Sequence, residues 1–313
     1  MVALTVLLPV KNGERWLDAA IASIRAQTFG DFELLVIDDG STDATAGVAG
    51  RHASEDSRVA LVSNPASGLV SALNFGLAKA GAPLVARMDA DDIALPQRFE
   101  RQVARLIAEP DLLVLGTGYF RIDAEGRRTG TVVPPIKPAE VAQALLRVNA
   151  IAHPTVIMRR DAVQAAGGYR EAYVRAEDYD LWLRLAEHGR LANLADPLIE
   201  YRIGHVPFRA ETFARQVLSE ITARAAAGLR RSGRPDPTDA WRDVDNDALA
   251  SIGVDRQAVA AELARRALQM ARHSRKQGDE DSFRLALRLA DTQPRSGLGE
   301  RLHYLLRRTK VFL

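Results

Sequence analysis

Phe32-Glu33-Leu34-Leu35-Val36-Ile37-Asp38-Asp39-Gly40-Ser41-Thr42-Asp43 is the stretch that decides the fold. Phe32 to Ile37 is a short, mostly apolar run, as expected of a strand covered on both faces. It stops at Asp38-Asp39-Gly40, after which Ser41 and Thr42 offer an N-cap for a helix. The same alternation extends outward. Upstream, Leu4 to Val10 reads as a strand. Asn12 offers a cap there, and Trp16, Leu17, Ala20, Ile21 and Ile24 recur at helical spacing. Downstream, Val59 to Val62 reads as a strand, Leu69 to Ala80 as a helix stopped by Gly81, and Leu84 to Met88 as a fourth strand. Strands and helices alternating over short connections predict parallel βαβ units in a doubly wound α/β sheet. Ligands of such sheets bind beyond the carboxyl ends of the strands, where Asp38-Asp39 and Asp89-Ala90-Asp91-Asp92 both fall.

Beyond the fourth strand the pattern changes. Leu112 to Leu115, Tyr119 to Ile122 and Thr131 to Val133 read as extended, with a turn at Asp123-Ala124-Glu125-Gly126 and breaks at Pro134, Pro135 and Pro138. Thr155 to Met158 and Leu198 to Ile203 read as strands. Between them a helix opens near Glu177-Asp178, carries Leu181, Trp182 and Leu185 on one face, and ends by Gly189. From Phe208 onward the chain is rich in Ala, Arg and Leu at helical spacing. Two domains are therefore expected: residues 1–205 as the α/β part and residues 206–313 as a helical appendage.

Composition narrows the classes of function. Among 313 residues, 42 basic and 40 acidic side chains leave a net charge of +2, so the chain lacks the basic excess of a nucleic-acid binder. With no cysteine, disulfides and thiolate metal sites are excluded. The apolar start at residues 1–10 is too short for a signal segment, and no stretch approaches the ~18 apolar residues of a membrane span. A cytoplasmic protein is expected. The basic and apolar ending Leu306-Arg307-Arg308-Thr309-Lys310-Val311-Phe312-Leu313 is a candidate for peripheral contact with the inner face of a membrane, and a solvated helix end reads the same way.

Three acidic groups carry the chemistry. Asp89, Asp91 and Asp92 place three carboxylates in four residues, and a divalent cation would relieve their repulsion. Their hard oxygen donors favour Mg2+ or Mn2+ over zinc. Such an ion could neutralise a nucleotide diphosphate as it leaves. A solvated acidic turn has the same sequence. Asp38-Asp39-Gly40-Ser41 is either a strand-to-helix turn or a carboxylate placed to bind a base or ribose. Glu177-Asp178-Tyr179-Asp180 either complements a helix dipole or supplies Asp178 as a general base. His153 fits a structural histidine better than a catalytic one.

Five stretches in order carry a resemblance: Leu7-Leu8-Pro9-Val10-Lys11-Asn12-Gly13, Ser23-Ile24-Arg25-Ala26-Gln27-Thr28-Phe29, Phe32 to Asp43, Met88-Asp89-Ala90-Asp91-Asp92, and Glu177-Asp178-Tyr179-Asp180-Leu181-Trp182-Leu183-Arg184. Over residues 1–205 the chain resembles the family 2 glycosyltransferases, inverting enzymes of GT-A fold. The resemblance implies a Rossmann-like mixed sheet flanked by helices. It also implies that Pro9, Val10 and Asn12 lie against the nucleotide, with Glu14 following. Asp39 would hydrogen-bond the base, with Asp38 beside it. Asp91 would bind the metal, Asp89 would be the first aspartate of the DxD motif, and Asp178 would be the catalytic base.

The implied donor is a UDP- or dTDP-sugar, with Mn2+ or Mg2+. The implied acceptor is a saccharide or lipid-linked hydroxyl in cell-surface polysaccharide or glycolipid assembly. One departure stands out: Leu73-Asn74 replaces a common Arg-Asn pair, and Arg87 is a candidate to compensate. The QxxRW motif of processive synthases is missing, which favours single addition. A nucleotidyltransferase would show a Gly-rich phosphate loop, which Pro9 to Gly13 does not have. A non-catalytic nucleotide-sugar-binding module would not need the acidic motifs intact.

Overall fold

The computed structural model describes residues 2–173, 175–204, 208–276 and 278–292. Two compact units divide the chain, Met1–Glu171 with Glu177–His205, and Ala172–Ala176 with Val206–Leu313.

The first unit contains β1 (Leu4–Val10), α1 (Leu17–Arg25), β2 (Phe32–Asp38), α2 (Thr45–Glu55), β3 (Val59–Ser63), α3 (Leu69–Lys79), β4 (Leu84–Arg87), β5 (Ile93–Ala94) and α4 (Arg98–Ala108). It continues with β6 (Leu112–Ile122), β7 (Arg128–Val132), α5 (Pro138–Leu145), β8 (Ile157–Arg159), α6 (Arg160–Ala165), α7 (Glu177–Leu185) and β9 (Arg190–Arg202). Among the described residues the nine strands form one sheet in the order β3-β2-β1-β4-β8-β6-β9-β5, with β7 pairing to β6. β3, β2, β1 and β4 run parallel, as the alternation requires. β8 then pairs antiparallel with β4 and β6, and β9 returns parallel to β6, so the sheet is mixed.

All seven residues of β1 are buried, which is why that strand reads as a nearly unbroken apolar run. Its side chains pack with those of β2, α1, α2 and α4 in the main core, where Phe32 meets Phe99 edge-on. Connections on the carboxyl side of β1, β2 and β4 lie at one edge of this core. They carry Asn12, Asp39 and Asp89.

Local capping differs from the sequence expectation in two places. Asn12 does not cap α1, whose N-cap is Trp16; the Asn12 backbone turns left-handed (φ 53°) and its Oδ1 accepts from the Thr42 amide at 2.9 Å. Ser41 and Thr42 do not cap α2, which starts at Thr45. The Ser41 hydroxyl accepts instead from the Asn12 amide at 2.9 Å. α3 ends where expected, at a C-cap Ala80 immediately before Gly81. Beyond the elements expected, α4 carries the fully buried polar side chains Arg98 and Gln102. β6 is one strand of 11 residues, and β9 runs for 13.

The second unit contains α8 (Ala210–Arg231), α9 (Asn246–Ser251), α10 (Arg256–Lys276) and α11 (Glu280–Asp291). Ala267, Leu268 and Ala271 of α10 pack on Phe283, Ala286, Leu287 and Ala290 of α11. The Tyr173 hydroxyl donates to Thr238 Oγ1 at 2.8 Å. No helix among the described residues is long and apolar enough to cross a membrane. The basic ending at residues 306–313 lies outside the described residues.

Candidate active site

The loop after β1 is laced to the loop after β2. Besides the Asn12 contacts, the Gly13 amide donates to Thr45 Oγ1 at 2.8 Å and the Glu14 amide to Asp43 Oδ2 at 3.2 Å. The Glu14 carboxylate accepts from the Ala44 amide at 2.8 Å. Pro9 and Val10 are buried, and the Val10 carbonyl accepts from the Asp39 amide at 2.8 Å. Asp38 Oδ1 accepts from the Ser41 amide at 3.1 Å, closing a local turn. Asp39 reaches the other way. Its carboxylate accepts from Asn64 Nδ2 at 2.7 Å and from the Gly68 amide at 2.9 and 3.0 Å, with Lys11 Nζ at 3.7 Å. An ionised carboxylate has about four acceptor positions, so these contacts leave capacity for another donor.

The first loop lies beside the DxD turn: a Cβ built on Gly13 would be in ordinary contact with the Ala90 methyl at 3.8 Å. It would lie only 2.5 Å from Val10 Cγ2 at the end of β1, and this crowding by Val10 is what favours glycine. In the turn itself, Asp89 forms a forked pair with Arg87, one arm at 2.7 Å and the other between Arg87 Nη2 and Asp89 Oδ1. Arg87 is buried. Burial works to lower its pKa, but the Asp89 charge and hydrogen bonds outweigh this and hold the guanidinium protonated.

Asp91 is half-buried and its carbonyl accepts from Arg202 Nε at 2.8 Å. Asp92 is fully buried. Its Oδ1 accepts from the Arg202 amide at 2.8 Å, while Oδ2 has no hydrogen-bond partner. Burial, then the charges of Asp89 and Asp91, push the Asp92 carboxyl well above the usual range. Ligand oxygens of Asp89, Asp91 and Asp92 lie within 4.8 Å of one another. This all-oxygen set, with mutual repulsion and one orphaned buried oxygen, fits a hard divalent cation.

α7 brings a second acidic group to the same neighbourhood. Asp178 is half-buried; its Oδ2 accepts from Asn149 Nδ2 at 2.7 Å and its Oδ1 from the Tyr179 amide at 2.7 Å. Glu177 is buried, and burial, then the Asp178 charge, raise its carboxyl to about 7. Arg87 and Asp89 also act on Glu177, Arg87 lowering its pKa and Asp89 raising it.

His153 is buried beside them, sharing a 2.9 Å hydrogen bond with the Tyr169 hydroxyl and standing edge-on to Trp182. Its Nδ1 is 3.9 Å from Glu177 Oε1. Burial, then the Arg87 charge, hold it well below its usual pKa, which favours the neutral imidazole. Asp180 is fully buried and takes the guanidinium groups of both Arg170 and Arg184. Leu73 is fully buried, and Asn74 clamps the Tyr169 backbone through bonds of 2.8 and 2.9 Å.

Two functional partners were not anticipated. Arg202 holds the acidic turn at two points, its amide on the Asp92 carboxylate and its Nε on the Asp91 carbonyl, and stacks over Trp16, 5.4 Å from the ring centroid. Asn149 orients Asp178. A strand-end arginine and a loop asparagine carry no local signal; only the fold shows what they reach.

The family model described as glycosyl transferase family 2 matches residues 5–167. The O-antigen biosynthesis glycosyltransferase WbnJ of Escherichia coli is 33% identical over 204 residues, covering 64% of this chain and 79% of that protein. Among solved structures, TarS residues 1–349 of S. aureus in complex with UDP-GlcNAc aligns with a TM-score of 0.57 at 17% identity, over 93% of this chain and 91% of that one. The mannosyltransferase PcManGT of Pyrobaculum calidifontis in complex with GDP-Man and Mn2+ aligns with a TM-score of 0.55 at 18% identity, over 92% of this chain and 85% of that one. The shared fold is the GT-A fold, a mixed sheet with flanking helices.

Proposed function

This chain belongs to glycosyl transferase family 2 and is a glycosyltransferase, and from that premise we propose an inverting single displacement with Asp178 as the base. The Asp178 carboxylate takes the proton of an acceptor hydroxyl. The acceptor oxygen forms a bond to the anomeric carbon from the face opposite the nucleotide. The bond from that carbon to the β-phosphate oxygen breaks, and its electrons leave with the nucleotide diphosphate.

Asp91, with Asp89, would hold a divalent cation, Mn2+ or Mg2+, whose charge when bound neutralises the leaving diphosphate. Asp39 accepts from the N3–H that uracil and thymine both present, which favours a UDP- or dTDP-sugar. Pro9, Val10, Asn12 and Glu14 shape the floor beneath the nucleotide, and Asp38 fixes the turn that aims Asp39. A saccharide or lipid-linked acceptor in cell-surface polysaccharide or glycolipid assembly is the reading that the name of the WbnJ relative supports.

The observation that carries this reading is the meeting of two acidic groups from distant parts of the chain. Asp178, aimed by Asn149, opens the helix whose first residue feels the charges of Asp89 and Arg87. A base and a diphosphate site have to face one anomeric carbon, and this is the proximity that such chemistry needs.

The test begins with thermal shifts across UDP-, dTDP- and GDP-sugars, with and without Mn2+, to find the donor. Asp91→Asn should then lose metal-stimulated donor hydrolysis while keeping the wild-type circular dichroism spectrum. Asp178→Asn should still show the donor-induced thermal shift but transfer to acceptor about 10²–10⁴ times more slowly. Undiminished hydrolysis in the first variant would remove the metal assignment, and near wild-type transfer in the second would move the base elsewhere.

A further inference from the structure

Arg87, Arg98 and Arg202 stand around the acidic turn and use their donors differently. The Arg202 guanidinium donates to the carbonyls of Asp91, Asp123 and Ala124. Arg98 donates to the carbonyls of Arg87 and Val156 and to Gln102 Oε1. These two guanidinium groups hold mainly backbone. Arg87 instead places its two terminal nitrogens on the two oxygens of Asp89, a carboxylate of the all-oxygen set.

Arg87 is also rooted where it stands. Its amide donates to the Val156 carbonyl at 3.1 Å, and its own carbonyl accepts from Arg98 Nη2 at 2.8 Å. The residue is 3% exposed, and its Nε is buried with no hydrogen-bond partner. A guanidinium at that depth that released Asp89 would leave further buried donors unpaired, so the fork is costly to open. A divalent cation approaching Asp89 therefore meets oxygens already shared with a fixed like charge. The affinity of a carboxylate site for such an ion follows the charge that its ligands carry.

We propose that Arg87 is a positioning residue that weakens the hold of the acidic turn on a divalent cation alone, so that cation and nucleotide diphosphate bind as one unit. The diphosphate brings the negative charge that Arg87 offsets at Asp89, and each ligand raises the affinity for the other by the same factor. This rests on the reading of Asp89 and Asp91 as the metal ligands.

The experiment measures Mn2+ binding to the full chain by electron paramagnetic resonance, first with the ion alone and then with UDP or GDP present. The wild type should bind Mn2+ alone weakly, and one of the nucleotides should tighten it at least about tenfold. Arg87→Met, and Arg87→Gln, which can still donate to Asp89, should each bind Mn2+ alone at least about tenfold more tightly than the wild type. Arg87→Lys keeps the charge and should stay within about threefold of the wild type. The sign is what separates this role from a merely structural one, because damage to the turn would weaken the ion rather than tighten it. Unchanged or weaker binding of Mn2+ alone by the two neutral variants would overturn the proposal. So would an Arg87→Lys variant as tight as Arg87→Met, or circular dichroism showing both neutral variants unfolded. Asp91→Asn tells the two failures apart. If it binds Mn2+ as the wild type does, the ligand reading falls and this proposal with it. If it loses the ion while the neutral Arg87 variants bind like the wild type, the role of Arg87 alone is wrong.

Discussion

Replacing Glu177 with glutamine should make the protein more stable, and only above a defined pH. Burial, reinforced by the neighbouring Asp178 charge, raises this carboxyl from 4.5 to about 7. A difference of that size is worth about 3 kcal/mol between the protonated and ionised forms. Between pH 4.5 and 7 the folded chain keeps a proton here that the unfolded chain has released. Stability therefore falls as pH rises through that window and levels off once the folded carboxyl has ionised. The side chain is 6% exposed, so solvent screens little of the cost.

Glutamine keeps the shape and never ionises, so Glu177→Gln lacks this loss. Urea unfolding of both proteins at pH 4.5, 6 and 8 reads the effect as the difference between them, to which the coupling of Glu177 with His153, 3.9 Å away, also contributes. The variant should gain about 3 kcal/mol on the wild type between pH 4.5 and 8, less whatever the glutamine loses beside His153. A difference that stays constant across this range would show that Glu177 is ionised without penalty, and the electrostatic account of the buried cluster would fail.

Two further outcomes follow from single contacts. Asn149→Ala removes the 2.7 Å bond that aims Asp178, so kcat for transfer should drop about 10- to 100-fold while donor KM stays within about twofold; a rise in KM at constant kcat would place Asn149 in donor binding instead. Asp180→Ala strands the guanidinium groups of Arg170 and Arg184 around a buried site, which should cost about 3–5 kcal/mol in urea unfolding. A loss below about 1 kcal/mol would mean that water or another acceptor takes over.

The parallel half of the sheet was legible because its information is local. β1 and β4 are buried along their whole length, and apart from Thr5 and Arg87 their residues are apolar in sequence. The part of the fold that stayed hidden is where polar side chains face inward. α4 turns Arg98 and Gln102 into the core, where Gln102 Nε2 donates to the Leu115 and Thr155 carbonyls and Arg98 to the Arg87 carbonyl, so its apolar stripe is interrupted. The register of β6 against β9 shifts around Gly118, and Pro197 lies opposite it, which disguises a 13-residue strand as a short one.

Caps failed for a related reason. Asn12 and Ser41 have the chemistry of helix caps, but they spend it binding each other's loops, 29 and 30 positions apart. The acidic turn carries the argument furthest. Its three carboxylates are equivalent in sequence, and the fold separates them through partners that no local pattern includes. Arg87 takes Asp89 into a forked pair, Arg202 fixes the peptide of Asp91 from β9, and Asp92 is sunk with one oxygen unmatched. The motif identifies which residues can hold a cation. How each of them is held depends on two arginines, and of these only Arg87 could be suspected from the sequence.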